Sequence, residues 1–152
     1  MSKKFNIYCN NVEKTWYDSS NVIYTECIDN DNKPKTLKVV FSNGTQYQYD
    51  DVNVNDYLVF RESASQGKAL NRLIKENGYK YTKLENADLE KIKDELFFRQ
   101  NNGFYLKNSD CFEIKNNKDE SVFKMEKALD DETFKLINEI LESVGLNVKN
   151  VL

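Results

Sequence analysis

A β-hairpin is the clearest local element in the pattern of apolar and polar residues. Apolar and polar positions alternate over 36–42 and again over 45–50, on either side of Asn43-Gly44. Alternation is typical of a strand with one buried face. Asn-Gly between two such runs predicts a two-residue turn with positive φ at both central residues. A third strand, over about 22–28, is predicted to join the same antiparallel sheet.

The two-residue turn predicts which side chains share a face of the sheet. It pairs Val40 with Tyr47 and Lys38 with Tyr49. The two tyrosines are therefore expected beside these residues, on the face away from the core. The predicted core face carries the alternate apolar residues of the first strand, which are Leu37, Val39 and Phe41.

Two consecutive helices are predicted after the hairpin. The first, over about 54–64, follows Asn53, a residue type favoured at the N-cap. The second begins at Ser65, runs over 66–77 and ends at Gly78, because glycine is a common C-terminal stop. Its apolar residues fall on one side at helical spacing: Ala69, Leu70, Leu73 and Ile74. This helix is expected to pack on the core face of the sheet.

The pattern changes after a short strand at 79–84. It predicts a helix over about 87–100, a helix over 131–144 and, between them, three short strands at 104–107, 111–115 and 122–126. The last helix is expected to bury Phe134, Ile137, Ile140, Leu141 and Val144. The predicted fold class is α+β: a small antiparallel sheet with two consecutive helices packed on it, followed by a helix, short strands and a C-terminal helix. We place a boundary near residue 85, with 86–152 as an acidic α+β extension packed on 1–85 in one compact unit.

Composition narrows the classes of function. The chain of 152 residues has no histidine, so a Ser-His or Cys-His nucleophile is excluded and the commonest metal ligand is missing. Its three cysteines are far apart and form no CxxC pair, which indicates reduced thiols. The acidic cluster Asp130-Asp131-Glu132 precedes the last helix, where carboxylates cap the helix without a metal. We therefore expect no catalytic residue, no metal and no cofactor.

The sequence shows no sign of a membrane segment. No apolar run approaches the roughly 20 residues of a membrane span, and no apolar stretch follows Lys3-Lys4 as it would in a signal peptide. Lysine and asparagine predominate over arginine, a bias associated with AT-rich genomes. These features favour a cytoplasmic protein of a bacterial or phage-infected cell, with no membrane partner.

A basic stripe lies on the outer side of the second predicted helix. Residues 57–83 carry six basic side chains against two acidic ones. The polar residues at helical spacing are Lys68, Asn71, Arg72 and Lys75. They could follow a nucleic-acid backbone, because phosphate contacts need only positive charge and polar donors. At the start of the helix, Ser65 and Gly67 could seat an anion on free backbone N–H groups. The alternatives are a solvated helix face and an ordinary N-cap.

Tyr47 and Tyr49 form the other candidate surface. Aromatic side chains on an exposed sheet face can stack the bases of a single strand. The alternative is that both tyrosines belong to a second core, covered by the C-terminal half of the chain.

Several short stretches occur in the order and spacing of a known module. They are Ser19 to Ile23, Leu37 to Phe41, Tyr47-Gln48-Tyr49, Ser65-Gln66-Gly67-Lys68 and Tyr79-Lys80-Tyr81. Through them, residues of about 17–85 resemble the KTSC domain, a module of small bacterial and phage proteins. The resemblance implies the fold, and RNA binding is the role suggested for the family. Residues 86–152 show no such resemblance.

Together these features predict a non-enzymatic module that binds RNA, single-stranded nucleic acid or a nucleotide-like anion. The predicted contacts are the basic stripe, the Ser65–Gly67 turn and the two tyrosines. The alternative is a protein-binding inhibitor or accessory factor, phage-encoded and directed at a host defence protein through the acidic second half. The acidic residues of that surface are Asp130 to Glu132, Glu139 and Glu142.

Overall fold

The computed structural model describes residues 3–31 and 33–151. It has the mixed α+β architecture that the sequence predicts, with an antiparallel sheet followed by helices. The chain divides into two compact units, Met1–Ile92 and Lys93–Leu152. The boundary near residue 85 and the packing of the two parts as one unit stay predictions.

The first unit is built on a six-stranded antiparallel sheet in which the strands follow chain order. Its strands are β1 (Lys3–Cys9), β2 (Val12–Tyr17), β3 (Val22–Ile28), β4 (Lys35–Phe41), β5 (Gln46–Val52) and β6 (Tyr81–Leu84). The first two strands were not predicted. They are joined by Asn10-Asn11, and both residues take positive φ (53° and 63°), a conformation that asparagine tolerates better than most residues.

The register predicted for the central hairpin was wrong by one residue. Phe41 N donates to Thr45 O over 2.9 Å, which leaves three loop residues instead of two. Gly44 (φ 92°), and not Asn43, takes the left-handed conformation, as in a three-residue loop with a glycine bulge. Tyr47 therefore pairs with Val39, and Tyr49 with Leu37. Because facing residues share a side of the sheet, both tyrosines lie on the core face and not on the opposite one.

Two helical segments cover the core face, as predicted. Helix α1 (Val54–Glu62) begins after Asn53, whose side chain accepts a hydrogen bond from Asn55 N. Helix α2 (Gln66–Ala69) continues as a π-helix over Leu70–Lys75. The buried residues between helices and sheet include Val22, Leu37, Val39, Tyr49, Tyr57, Phe60, Leu70 and Ile74.

The opposite face of the sheet has its own apolar cluster. Trp16, Tyr24 and Val40 are buried there, and the rings of Trp16 and Tyr24 lie 5.0 Å apart. Trp16 Nε1 donates to Ile92 O over 3.2 Å, at the end of the first unit. The segment just before residue 93 therefore packs on the face where sequence analysis had placed the two tyrosines.

The second unit contains a four-stranded sheet in the order β10-β7-β8-β9. Its elements are β7 (Phe104–Asn108), β8 (Phe112–Lys115), β9 (Ser121–Met125), α4 (Asp131–Ser143) and β10 (Val148–Val151), and α3 (Leu89–Gln100) contains the boundary between units. Helix α4 is capped as predicted, since Asp130 Oδ1 accepts from Thr133 N. The expected burial of Ile140 and Val144 was wrong: they are 51% and 68% exposed, because the half-buried side of α4 is centred on Phe134 and Leu141.

Candidate functional site: a cavity lined by tyrosines

A cavity of about 440 Å³ lies in the first unit, where the π-helix turns into β6. It falls in the size range of small-molecule sites, roughly 300–1,000 Å³. Its lining combines four phenol rings with one ammonium group and one glycine: Tyr47, Tyr49, Tyr79, Tyr81, Lys75 and Gly78.

The pairing of β5 with β6 brings three of the rings together. Tyr47 and Tyr49 are two residues apart on β5 and so share one face. Tyr81 pairs with Tyr49 across the strands. Its ring centroid lies 5.7 Å from that of Tyr47 and 6.0 Å from that of Tyr49. The three rings enclose one corner of the cavity, and Tyr81 is 64% exposed, so its ring is open to a ligand.

Tyr79 is held in place through its hydroxyl group. The hydroxyl donates to Asp56 Oδ2 and accepts from Asn53 N at 3.1 Å. Burial and the hydrogen bond to the Asp56 carboxylate raise the pKa of Tyr79 above that of a free tyrosine. These contacts fix this ring against the start of α1, so one wall of the cavity is ordered before any ligand binds.

Tyr49 forms the floor and is only 3% exposed. Burial, with smaller contributions from the neighbouring Tyr47 and Tyr81 hydroxyls, raises the pKa of Tyr49 to about 12. This phenol is therefore neutral near pH 7, where it can donate a hydrogen bond but cannot act as a base. No carboxylate stands among the lining residues of the cavity.

Lys75 supplies positive charge at the cavity, and the π-helical turn sets its position. Glu76 N bonds to Asn71 O, five residues back, so the chain is wider here than an α-helix. Lys75 Nζ lies 5.6 Å from the centre of the Phe41 ring. The side chain is exposed, and within residues 3–31 and 33–151 no carboxylate pairs with it. Its charge is therefore available to an anion.

The structure brings three of the predicted site residues, Tyr47, Tyr49 and Lys75, to one cavity. The other residues of the stripe, Lys68, Asn71 and Arg72, lie exposed on the same helical segment, outside the lining of the cavity.

Ser65 and Gly67 also lie outside the cavity. Ser65 is at the N-cap position of α2, but its side chain makes no capping hydrogen bond. A Cβ on Gly67 would come within 2.5 Å of Asn21 Nδ2, so close packing against Asn21 accounts for this glycine. The fully buried Gln66 between them donates to the end of α1, with its Nε2 2.8 Å from Ser63 O.

Tyr79 and Tyr81 were not predicted as site residues. The sequence analysis quoted both as family motifs, but nothing local to them points to a ligand. Tyr81 reaches the cavity through the pairing of β6 with β5, which connects residues more than thirty positions apart. Tyr79 is held there by its hydrogen bonds with Asp56 and Asn53. A correct hairpin register would have shown that Tyr47 and Tyr49 face the helices and the segment that follows them.

In residues 3–31 and 33–151, no three acidic or cysteine side chains are grouped so that they could hold a metal ion. No helix in that part of the chain is long and apolar enough to cross a membrane.

Comparison with known families identifies one part of the chain. Residues 19–79 match the family model of the KTSC domain, which confirms the resemblance seen in the sequence over a slightly shorter span. No curated protein is significantly similar to the chain. The matched span includes Tyr47, Tyr49, Lys75 and Tyr79, and ends two residues before Tyr81.

Proposed function

We propose that this KTSC-containing chain is a non-enzymatic module that binds single-stranded nucleic acid, with a base held in the tyrosine cavity. RNA is the preferred ligand. The observation that carries the proposal is a cavity of about 440 Å³ that is lined by four tyrosines and Lys75. Stacking on aromatic rings is the general way in which proteins bind unpaired bases, and lysine is a common phosphate contact.

The charge of the cavity favours this ligand over others. Aromatic cages also bind organic cations, but Lys75 would repel a cation. Acid–base catalysis at neutral pH is disfavoured, because no carboxylate lines the cavity and the Tyr49 hydroxyl has a pKa of about 12. A nucleotide fits both features of the lining, because its flat, neutral base can stack on the rings and its phosphate can bind the ammonium group.

The remaining basic residues extend the contact beyond the cavity. Lys68 and Arg72 are exposed on the helical segment that carries Lys75. A strand with one base in the cavity can continue along this helix through its phosphates. RNA is abundant in the cytoplasm of a bacterial or phage-infected cell, which is where we place the protein.

Fluorescence anisotropy with short, labelled oligo(U) and oligo(A) tests the proposal. Tyr81→Ala should weaken binding roughly 5- to 150-fold, since stacking on one aromatic ring contributes about 1–3 kcal/mol per base. Tyr8→Ala is the matched control: Tyr8 is 56% exposed on β1, outside the cavity, and its loss should leave affinity unchanged. Duplex RNA should bind more weakly than either oligomer, because its bases are already stacked.

Lys75→Gln tests the charge. It should weaken binding and reduce the slope of log affinity against log salt by about 0.7, the value for one phosphate contact on a single strand. Lys91→Gln, an exposed lysine of another helix, is the control. If no single strand binds, or if Tyr81→Ala and Tyr8→Ala behave alike, the proposal is wrong and a protein partner becomes the better hypothesis.

A further inference from the structure

The side chain of Lys83 shares the sheet face of the tyrosine cavity. In the β5–β6 ladder Tyr47 pairs with Lys83 and Tyr49 with Tyr81. Directly paired residues project to the same face, and residues two apart on a strand do so as well. Lys83 therefore projects beside Tyr47 on the side where Tyr81 and Tyr49 enclose the cavity.

Lys83 and Lys75 lie on opposite sides of Tyr47. Lys75 Nζ stands over the ring of Phe41, on β4, and that ring contacts Tyr47 edge-on with centroids 6.0 Å apart. Lys83 is on β6, the strand on the other side of Tyr47. The backbones of β4 and β6 are two strand spacings apart, about 10 Å. Tyr47 thus lies between the strand that carries Lys83 and the Phe41 ring under Lys75, although Lys83 itself is not among the residues that line the cavity.

The charge of Lys83 is available to a ligand. Its side chain is exposed, and in the part of the chain that the structure describes no carboxylate pairs with it. The strand that carries it is the last one of the sheet, so no described strand covers its outer edge.

We propose that Lys83 is a second phosphate-binding residue and that the ligand carries phosphate on both sides of the base held in the cavity. This inference rests on the proposed function and makes it more specific. A mononucleotide with one phosphate satisfies one lysine only. An internal nucleotide of a strand satisfies Lys75 and Lys83 together, so the site selects a strand over free mononucleotides.

Calorimetry at low salt tests the inference by comparing the affinity for uridine 3′,5′-bisphosphate with the affinity for uridine 5′-monophosphate. The parent protein should bind the bisphosphate about tenfold more tightly than the monophosphate, the effect of one added charge-assisted contact. Lys83→Gln should abolish that preference. Lys80→Gln is the matched control, because Lys80 is also exposed but precedes β6 and is not paired with a tyrosine of the cavity. It should keep the tenfold preference.

The outcomes separate this inference from the proposed function. If Lys83→Gln retains the full preference for the bisphosphate while Tyr81→Ala weakens both ligands, Lys83 is not a phosphate contact and the cavity still binds a base. If the parent protein prefers neither ligand but binds oligo(U), the two-phosphate arrangement is wrong. If it binds neither uridine phosphate nor oligo(U), both proposals fall.

Discussion

Gln66 offers a sharp test of whether the Ser65–Gly67 turn binds a ligand or supports the fold. Sequence analysis assigned this turn to a ligand, but the structure places its central residue, Gln66, in the core. The Gln66 side chain is fully buried. Its Nε2 lies 2.8 Å from Ser63 O and 3.4 Å from both Phe60 O and Arg61 O. It thereby satisfies carbonyl groups at the C-terminal end of α1, which have no partner within the helix itself.

The perturbation is Gln66→Met, which keeps the length of the side chain and removes its N–H donors. The Phe60 carbonyl retains a partner, since Ser63 N donates to it over 3.2 Å. Among the acceptors of Gln66 Nε2, the loss therefore falls mainly on Ser63 O, with a smaller effect at Arg61 O. Leaving one buried carbonyl without its donor costs about 1–3 kcal/mol. We expect the free energy of unfolding of the first unit to fall by about 2 kcal/mol.

Trp16 fluorescence reports the unfolding of the first unit. It is the one tryptophan of the chain and is 1% exposed in the apolar cluster on the opposite face of the first unit's sheet. In urea followed by Trp16 fluorescence, a loss of about 2 kcal/mol should lower the midpoint by roughly 1–2 M. The control is Gln48→Met, at a half-buried glutamine on β5, which should change the stability by less than about 0.5 kcal/mol.

If Gln66→Met destabilises the first unit no more than the control does, Gln66 does not have this structural role. A large loss of oligo(U) affinity in a Gln66→Met variant whose fold, judged by Trp16 fluorescence, is intact would also contradict that role. The second result would return the Ser65–Gly67 turn to the binding site.

Three further predictions concern the turn, a cap and the cavity floor. Gly44→Ala should destabilise the first unit by about 1–2 kcal/mol in urea, because φ at Gly44 is 92° and alanine is strained there; no change would contradict the loop geometry. Hydrogen bonds from Thr133 lower the pKa of Asp130. The Asp130 carboxylate therefore stabilises α4 above pH 4, and this stabilisation is lost as the pH falls through the lowered pKa. Asp130→Asn should remove this acid transition, measured by circular dichroism. Burial raises the pKa of Tyr49 to about 12. The stability that the neutral Tyr49 phenol gives to the first unit is therefore present below pH 10 and should be lost as the pH rises towards 12. Tyr49→Phe should reduce this loss in alkaline unfolding.

Local patterns were sufficient to predict most elements of the fold. Both strands of the central hairpin, the two helical segments after it and the capped helix α4 are where their residue patterns place them. The apolar side of the 66–77 segment is buried and its basic side is exposed, since helical spacing decides both.

The register of the hairpin could not be decided from Asn43-Gly44. The same dipeptide fits a two-residue turn with both residues at positive φ and a three-residue loop with glycine alone at positive φ. The difference is one residue, and it moved Tyr47 and Tyr49 to the other face of the sheet. Tyr47 and Tyr49, which sequence analysis selected, do line the cavity, but from the face opposite to the predicted one.

The complete cavity depends on contacts that no local pattern contains. Tyr81 comes thirty-two positions after Tyr49 and meets it only because β6 adds to the edge of β5. The width of the π-helix at Lys75 follows from packing, because the residues in it are compatible with an ordinary α-helix. Sequence analysis could therefore select three of the six residues that line the cavity, but it could not show that they meet there.

Photo-crosslinking measures the central claim most directly. An oligo(U) with one 5-iodouridine, irradiated with the full chain and digested for mass spectrometry, reports which side chain contacts the base. The account predicts a crosslink at Tyr81 or Tyr47, and none at Tyr8, which is exposed outside the cavity. Crosslinks confined to residues outside the cavity, or equal yields at Tyr81 and Tyr8, would contradict it.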